Sequence, residues 1–258
     1  VFLLMRQPLS ELIQERDRYG HKNSFGHTLL IGGSPGRLGA ICMASSASHK
    51  MGTGLVTVAT WEDSFHALLI KLADENMAVP LHLQGAQLEE YRASLSQYSS
   101  IVVGPGLGLR PMGKVLLEEL LCSYSGPVVL DADALNLVAE HRLFDRLVQR
   151  NAPTVLTPHP GEMARLLGVS KESIILDPVG SVKKAVEKTH SIVVLKGAAT
   201  LIGSLDQKLF LNHYPNDGMA TAGSGDVLAG MIGGLLGQKM NAFDATLLGV
   251  YLHSLAGD

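Results

Sequence analysis

The sequence is poor in several features that would each define a class of protein. Cysteine occurs twice, at Cys42 and Cys122, far apart and outside any CxxC or Cys/His spacing. That speaks against a disulfide scaffold, a zinc site or a dithiol redox centre. Both lie in apolar surroundings and are expected as buried free thiols, with a reducing cytoplasm as the default setting. The formal net charge is only -3, so there is no broad cationic field for nucleic acid or an anionic membrane face. Long apolar runs are missing too. The longest, Val227 to Gly237, is about half a membrane span and is interrupted by glycines. Val1-Phe2-Leu3-Leu4 is too short for a signal peptide and is soon followed by Arg6 and Glu11, so no targeting segment is expected. No Pro/Ser-rich linker, repeat or low-complexity tract divides the chain. The expectation is one domain over residues 1–258, with residues 1–20 as an N-terminal helical extension.

What the chain does have is apolar residues (46%) and few charges (17%), enough for a sizeable core. Strands are expected at Thr28–Ile31, Leu55–Ala59, Ile101–Val103, Val128–Leu130, Thr154–Leu156 and Ile192–Leu195. Such continuous apolar runs suit parallel strands buried on both faces. Helices are expected at Leu38–Lys50, Lys114–Tyr124, Gly161–Leu167, Ser181–Lys188 and Val227–Leu236. Thr200–Ile202 and Lys208–Leu211 read as an added hairpin. The alternation predicts an α/β fold, a doubly wound, mostly parallel central sheet with helices on both faces.

Glycine is abundant, with 28 residues, and it collects where the strands end. Ile31 leads into Gly32-Gly33-Ser34-Pro35-Gly36, and Val103 into Gly104-Pro105-Gly106-Leu107-Gly108. Leu130 leads into Asp131-Ala132-Asp133, Leu156 into Thr157-Pro158-His159-Pro160-Gly161-Glu162, and Leu195 into Lys196-Gly197. In an open parallel sheet the ligand crevice lies at the carboxyl ends of the strands, so five special segments converge on one edge.

Thr221-Ala222-Gly223-Ser224-Gly225-Asp226 opens the apolar helix and predicts a phosphate site. Unpaired N–H groups and the positive helix end attract an anion, and glycine admits it to the backbone. Asp226 beside that site suits a base that takes a proton from an attacking hydroxyl. It also suits a plain helix start. Gly108 to Val115 has P-loop spacing, but Val115 replaces the hydroxyl that would hold Mg²⁺, so it is not a P-loop. His159, stiffened by two prolines, is balanced between a ligand contact and a structural role. Glu162 is the candidate metal ligand, or an ordinary first-turn acid. Asp131 and Asp133 suit Mg²⁺, Asp133 equally a cap on Ala134–Val138.

In family order, these segments together with Gly52-Thr53-Gly54-Leu55, Asp133-Ala134-Leu135-Asn136 and Tyr251-Leu252-His253 resemble the bacterial ADP-dependent NAD(P)H-hydrate dehydratases. These belong to the ribokinase-like superfamily. The resemblance runs from about His21 to Asp258, and Thr157–Glu162 with Asp131–Asn136 carries most of its specificity. It implies a ribokinase-like fold and repair of hydrated NADH or NADPH. The 6-hydroxyl is phosphorylated by ADP (or ATP) with Mg²⁺, and phosphate is then lost, leaving AMP. It places Ala40, Gly106, Gly108, His159 and Asp226 against the hydrated dinucleotide. Lys196, Gly197, Ala198, Ala199, Thr200, Gly223, Ser224 and Gly225 fall on the adenine nucleotide, and Asp226 is the catalytic base. It further implies a homotetramer acting with a separate NAD(P)H-hydrate epimerase. Asn216-Asp217-Gly218 departs from the family's usual turn, and relatives continue past Asp258, so an incomplete C-terminus is expected. The rival reading is a ribokinase-like kinase of a vitamin-precursor alcohol, which shares the fold and the base but releases a stable phosphoester.

Overall fold

Short apolar runs become strands here because both of their faces are covered. The computed structural model describes residues 1–4, 9, 11–13, 15–206 and 208–257. Among them lie strands β1 (Phe2–Leu3), β2 (His27–Ile31), β3 (Leu55–Trp61), β4 (Met77–Leu81) and β5 (Ser100–Val103). β6 (Val128–Leu130), β7 (Thr154–Leu156), β8 (Ile192–Leu195), β9 (Thr200–Gly203) and β10 (Leu209–Asn212) follow. They form one sheet in the order β1-β10-β9-β8-β7-β6-β5-β2-β3-β4. Only β9 runs antiparallel to its neighbours, as the expected hairpin requires. The predicted doubly wound α/β fold is the observed one.

Alternation along each strand feeds two cores. Ile101, Val103, Val128, Leu130, Leu156 and Val193 point to one side, while Val102, Val129, Val155 and Val194 point to the other. The first side is covered by α3 (Ala86–Ser94), α4 (Pro111–Ser123), α5 (Ala132–Glu140), α6 (Phe144–Val148), α7 (Pro160–Leu167), α8 (Lys171–Leu176) and α9 (Pro178–Thr189). The second is covered by α1 (Leu38–Lys50), α2 (Glu62–Lys71), α10 (Ser224–Gly237) and α11 (Ala242–Leu255). Local chemistry sets the helix ends. Pro111, Pro160 and Pro178 open helices where no N–H is needed, and Asn241 Oδ1 caps α11 by accepting from Phe243 N at 2.9 Å.

The centre of the second layer is α10, and its glycines are where other backbones pass. A Cβ at Gly230 would strike the Ala44 carbonyl of α1, and one at Gly234 the Ser48 carbonyl. Sheet hydroxyls reach up to the same helix: Ser100 Oγ donates to the Gly233 carbonyl and Thr53 Oγ1 to the Gly234 carbonyl, each at 2.8 Å. These bonds fix where the N-terminus of α10 points.

Two expectations need correction, and a third falls mostly outside the described residues. Cys122 is exposed on α4, off the face that helix turns to the core, and Cys42 is only half-buried at the margin of the second core. The N-terminal extension opens with strand β1, pairing parallel with β10; Leu9 is helical, and residues 11–13 and 15–20 form turns and loop. Its residues 5–8, 10 and 14 lie outside the described residues. Strand β4 was not among the expected strands; it is the sheet's edge, where Pro80 is tolerated because no donor is needed on its outer side.

Replacing Gly230 with Ala forces α10 away from α1 and should cost about 1–3 kcal/mol, the scale of overpacking. Gly39→Ala meets nothing within 4 Å and should leave stability unchanged or slightly raised. Urea unfolding of the two variants checks the contrast, and equal effects would contradict the seam.

Candidate active site

The sheet reverses its winding once. β2 continues into β3 and β4 on one side and β5 into β6, β7 and β8 on the other, so the ends of β2 and β5 flank a crevice. Both exits are glycine loops, tied where Gly33 N donates to the Pro105 carbonyl at 3.0 Å. Gly106 has φ 62 and lies so close that a Cβ would be 3.2 Å from Ala40 Cβ. Gly108, at φ 80, donates its N–H to Asp133 Oδ2 at 2.8 Å, and Arg37 Nη1 reaches the same oxygen at 3.3 Å. The structure thus brings Ala40, Gly106 and Gly108 together at the switch point. It also corrects the reading of Asp133, which braces the glycine loop and caps no helix, because α5 already starts at Ala132.

Next to the crevice the strand exits carry charge. Asp131 follows β6 and is buried, and its Oδ1 accepts from Lys196 Nζ and from Thr157 Oγ1, both at 2.7 Å. Ala132, a non-glycine residue at φ 47, turns the chain so that Asp131 and Asp133 face different partners. Such a conformation costs on the order of 1–3 kcal/mol. Burial would pull the Lys196 ammonium's pKa down, but the charges of Asp131 and Glu162 outweigh it and the pKa is raised. Lys196 is therefore a fixed cation.

That cation meets the start of α10. A Cβ on Gly225 would lie 3.0 Å from Lys196 Nζ. Gly223, at φ 96, turns the chain into the helix, leaving the N–H groups of Gly225 and Asp226 in the first turn without helix carbonyls behind them. A full positive charge and a helix N-terminus converge there, which is an anion site. His253 of α11 holds the turn in place: its Nε2 donates to the Ser224 carbonyl at 2.8 Å. Burial lowers the pKa of His253, so it does this as a neutral ring. Asp226 stands between the anion site and the crevice. Burial first, then the charges of Asp131 and Asp133, push its pKa up to about 6 against the pull of Lys196.

His159 has the structural role, and its ring also faces a cavity. Its Nδ1 accepts from Gly161 N at 2.9 Å and Glu162 N at 3.3 Å, while Glu162 Oε2 accepts from His159 N at 2.8 Å. The two residues form a reciprocal cap on α7. Burial and Lys196 keep the ring's pKa low, so Nδ1 stays an acceptor. Half of the side chain remains exposed, on the wall of a cavity of about 980 Å³. Lys196, Gly197, Ala198, Thr200, Ser224 and Gly225 line the same cavity; Ala199 and Gly223 do not. Glu162 is buried and spent on the cap, and burial raises its pKa. Among the described residues no cluster of three or more His, Cys, Asp or Glu side chains stands ready for a metal. Asn212, Tyr214, Val250, His253 and Ser254 also line the cavity and were missed. The spacing of Val250, His253 and Ser254 puts them on one helix face, a signal present in the sequence.

The family profile of the NAD(P)H-hydrate dehydratases matches residues 28–258. The chain belongs to that family. It is 41% identical, over 95% of its length, to the bifunctional NAD(P)H-hydrate repair enzyme of Moorella thermoacetica, of which it covers 47%. It thus spans about half the length of the bifunctional relatives it matches. The ADP-dependent (S)-NAD(P)H-hydrate dehydratase of Neisseria meningitidis is 37% identical, over 96% of this chain and 81% of that one. Among solved structures, a ribokinase-like protein of Enterococcus faecalis superposes with a TM-score of 0.85 at 30% identity, covering 98% of this chain and 86% of that one. The ADP/ATP-dependent NAD(P)H-hydrate dehydratase of Bacillus subtilis, co-crystallised with ATP/Mg²⁺, gives 0.80 at 28%, covering 96% and 85%. The fold of the family is ribokinase-like, as the resemblance implied. No helix among the described residues is long and apolar enough to cross a membrane.

The raised pKa of Asp226 makes its charge a cost to the folded state. An unfolded carboxyl ionises near 3.8 and the folded one near 6, so stability falls as pH rises through that window. Asp226→Asn should therefore melt higher than the wild type at about pH 8, with the gap closing below about pH 4. Asp131→Asn should act the other way, because it leaves the Lys196 ammonium buried without its partner. A loss of about 3–5 kcal/mol is the scale for breaking such a pair. Thermal melts across pH, with urea unfolding of Asp131→Asn, test both signs.

Proposed function

We propose that the chain catalyses ADP-dependent dehydration of the 6-hydroxy form of NADH or NADPH, returning the intact dinucleotide with AMP and phosphate. One observation carries the reading: Asp226, with a pKa of about 6, sits beside an anion site made of Lys196 and the first turn of α10. A carboxylate tuned towards neutral pH is matched to accept a proton from a hydroxyl and to give it up again. Support comes also from the two hollows that flank it. The glycine crevice of Ala40, Gly106 and Gly108 suits the hydrated dinucleotide, and the large cavity with Lys196–Thr200 suits the adenine nucleotide.

In this reading Asp226 takes the proton from the ring hydroxyl as its oxygen attacks the terminal phosphorus of ADP. The bridging P–O bond breaks and AMP leaves, its developing charge met by Lys196 and the N–H groups of Gly225 and Asp226. The ring carbon–oxygen bond then breaks, phosphate departs and a ring proton is lost, restoring the double bond. Phosphorylation turns a poor leaving group into a good one, which is how a kinase scaffold performs a dehydration. Mg²⁺ characteristically keeps several waters and leans on phosphates with one or two carboxylates, and the site's hard oxygens without a preformed cage fit that mode. Glu162 is the carboxylate assigned to it; with Oε2 taken by the cap, it would hold the ion only through its other oxygen or a water, and the ion would neutralise phosphate charge. The small-molecule kinase reading shares the fold, the anion site and the base, but lacks the support of the family match. A cytoplasmic setting and an epimerase acting alongside belong to the same reading.

Incubating the chain with hydrated NADH, ADP and Mg²⁺ should restore the dihydronicotinamide absorbance and release phosphate in step. A stable phosphoester without that absorbance would point to a kinase instead. Asp226→Asn should lose on the order of 10²–10⁴ in rate while still binding ADP. Wild-type turnover should rise with pH through about 6 as Asp226 ionises. His159→Ala should raise KM for hydrated NADH on the order of tenfold, beyond a capping loss of about 1 kcal/mol. The KM for ADP should move much less; because the ring lines the cavity read as the nucleotide's, a larger rise for ADP would assign His159 to that ligand, and equal changes would reduce it to a cap.

A further inference from the structure

The large cavity has a charged part and an apolar part, and the apolar part carries an open aromatic ring. Lys196 and Gly225 mark the charged part, where His253 of α11 anchors the turn through the Ser224 carbonyl at 2.8 Å. One turn back along the same face of α11, Val250 lines the cavity, and Leu228 of α10 adds to that apolar wall. Tyr214, two residues past the end of β10, joins them. Among the described residues it is the one Phe, Tyr or Trp side chain lining the cavity, the other rings there being the imidazoles of His159 and His253. Tyr214 is 39% exposed and packs against Tyr251 of α11 at 5.6 Å between centroids and 75° between planes. In such an edge-to-face pair one ring's edge meets one face of the other, so Tyr251 covers at most one face of Tyr214. Because Tyr251 is itself buried, the contact also steadies the Tyr214 ring, which then loses little freedom when a flat ligand lies against it.

We propose that Tyr214 is the platform on which the nucleotide's base stacks. This rests on the nucleotide reading above and adds how the base is held. With phosphate at Lys196 and Gly225, the base lies one ribose further into the cavity, towards the wall of Tyr214, Leu228 and Val250. Stacking reads the flat face that every base has, so it is tolerant of the groups on the base's edge. The site therefore requires a base yet is lenient about which purine supplies it. The phosphates are held separately, whatever base is attached, so base affinity and phosphate affinity should come apart on mutation.

Calorimetry on the full chain with Mg²⁺, using ADP, GDP and inorganic pyrophosphate as probes, tests the assignment. The wild type should bind ADP and GDP within about threefold of each other, since both purines offer the same flat face. Tyr214→Ala should weaken ADP and GDP alike by about tenfold and leave pyrophosphate within about twofold. Tyr214→Leu, which keeps apolar bulk against Tyr251 but has no flat face, serves the same comparison if the alanine variant does not fold. Tyr214→Trp should keep the affinity, and ADP but not pyrophosphate should quench the emission of the new indole. The wild type, whose single tryptophan Trp61 is buried, is the blank. Undiminished ADP affinity in the alanine or leucine variant would overturn the proposal, leaving the nucleotide site intact. So would equal losses for ADP and pyrophosphate, which would mean that the phosphate turn had shifted. A wild-type preference for ADP over GDP of about a hundredfold would also overturn it, because the base would then be read by its edge. Binding of pyrophosphate but of no nucleoside diphosphate would instead sink the nucleotide reading itself, and this proposal with it.

Discussion

Lys196 and Asp131 meet at 2.7 Å across the end of β7, joining the exits of β8 and β6, and Thr157 from β7 shares the same carboxylate oxygen. Three neighbouring strand ends are thereby locked by one buried pair. The pair is stable where it lies because each charge is answered, and breaking one half would strand the other. Its field reaches outward in both directions. Added to burial, the larger cause in each case, Lys196 lowers the pKa of His159 and offers a cation at Gly225, while Asp131 raises that of Asp226.

The remaining geometry follows from how closely backbones approach one another. The crevice exists because glycines at 33, 106 and 108 let the loops after β2 and β5 lie against each other and against the start of α1. The cavity exists because α11 spans the hairpin β9–β10 without filling the space at its end. Asp226, on the first turn of α10, lies where the fields of Asp131, Lys196 and Asp133 overlap.

Much of this was legible in the sequence, and what was not has physical reasons. The six main strands could be read because both of their faces are buried, which leaves continuous β-branched runs such as Ile192–Leu195. The glycine turns could be read because only certain backbone conformations need them. Helix α11 escaped notice for the opposite reason. Ala245, Leu248 and Tyr251 pack inward, but Thr246, Leu247 and Val250 are buried as well, so no polar stripe marks its period. The Lys196–Asp131 pair joins residues 65 positions apart and follows only from the order of the strands. The reciprocal cap of His159 and Glu162 has the right spacing, but histidine stands where serine or threonine usually signals one. Asn212 gave no sign at all, since a lone asparagine at a strand end ordinarily marks a turn.

The glycine seam of α10 bears on how the molecule opens and closes. Gly230, Gly233, Gly234 and Gly237 each sit in helical backbone, where glycine is about 1 kcal/mol worse than alanine. Taken out of its contacts with α1, β2 and β5, that segment has little reason to be helical. Its order is borrowed from the core, and its first turn is where phosphate would be held. Local fraying of the site is thus coupled to undocking of the most central helix, so the two belong to one cooperative unit. A ligand clasped at that turn is felt as protection of the whole second layer, and the amides of α10 should be among the last to exchange with solvent.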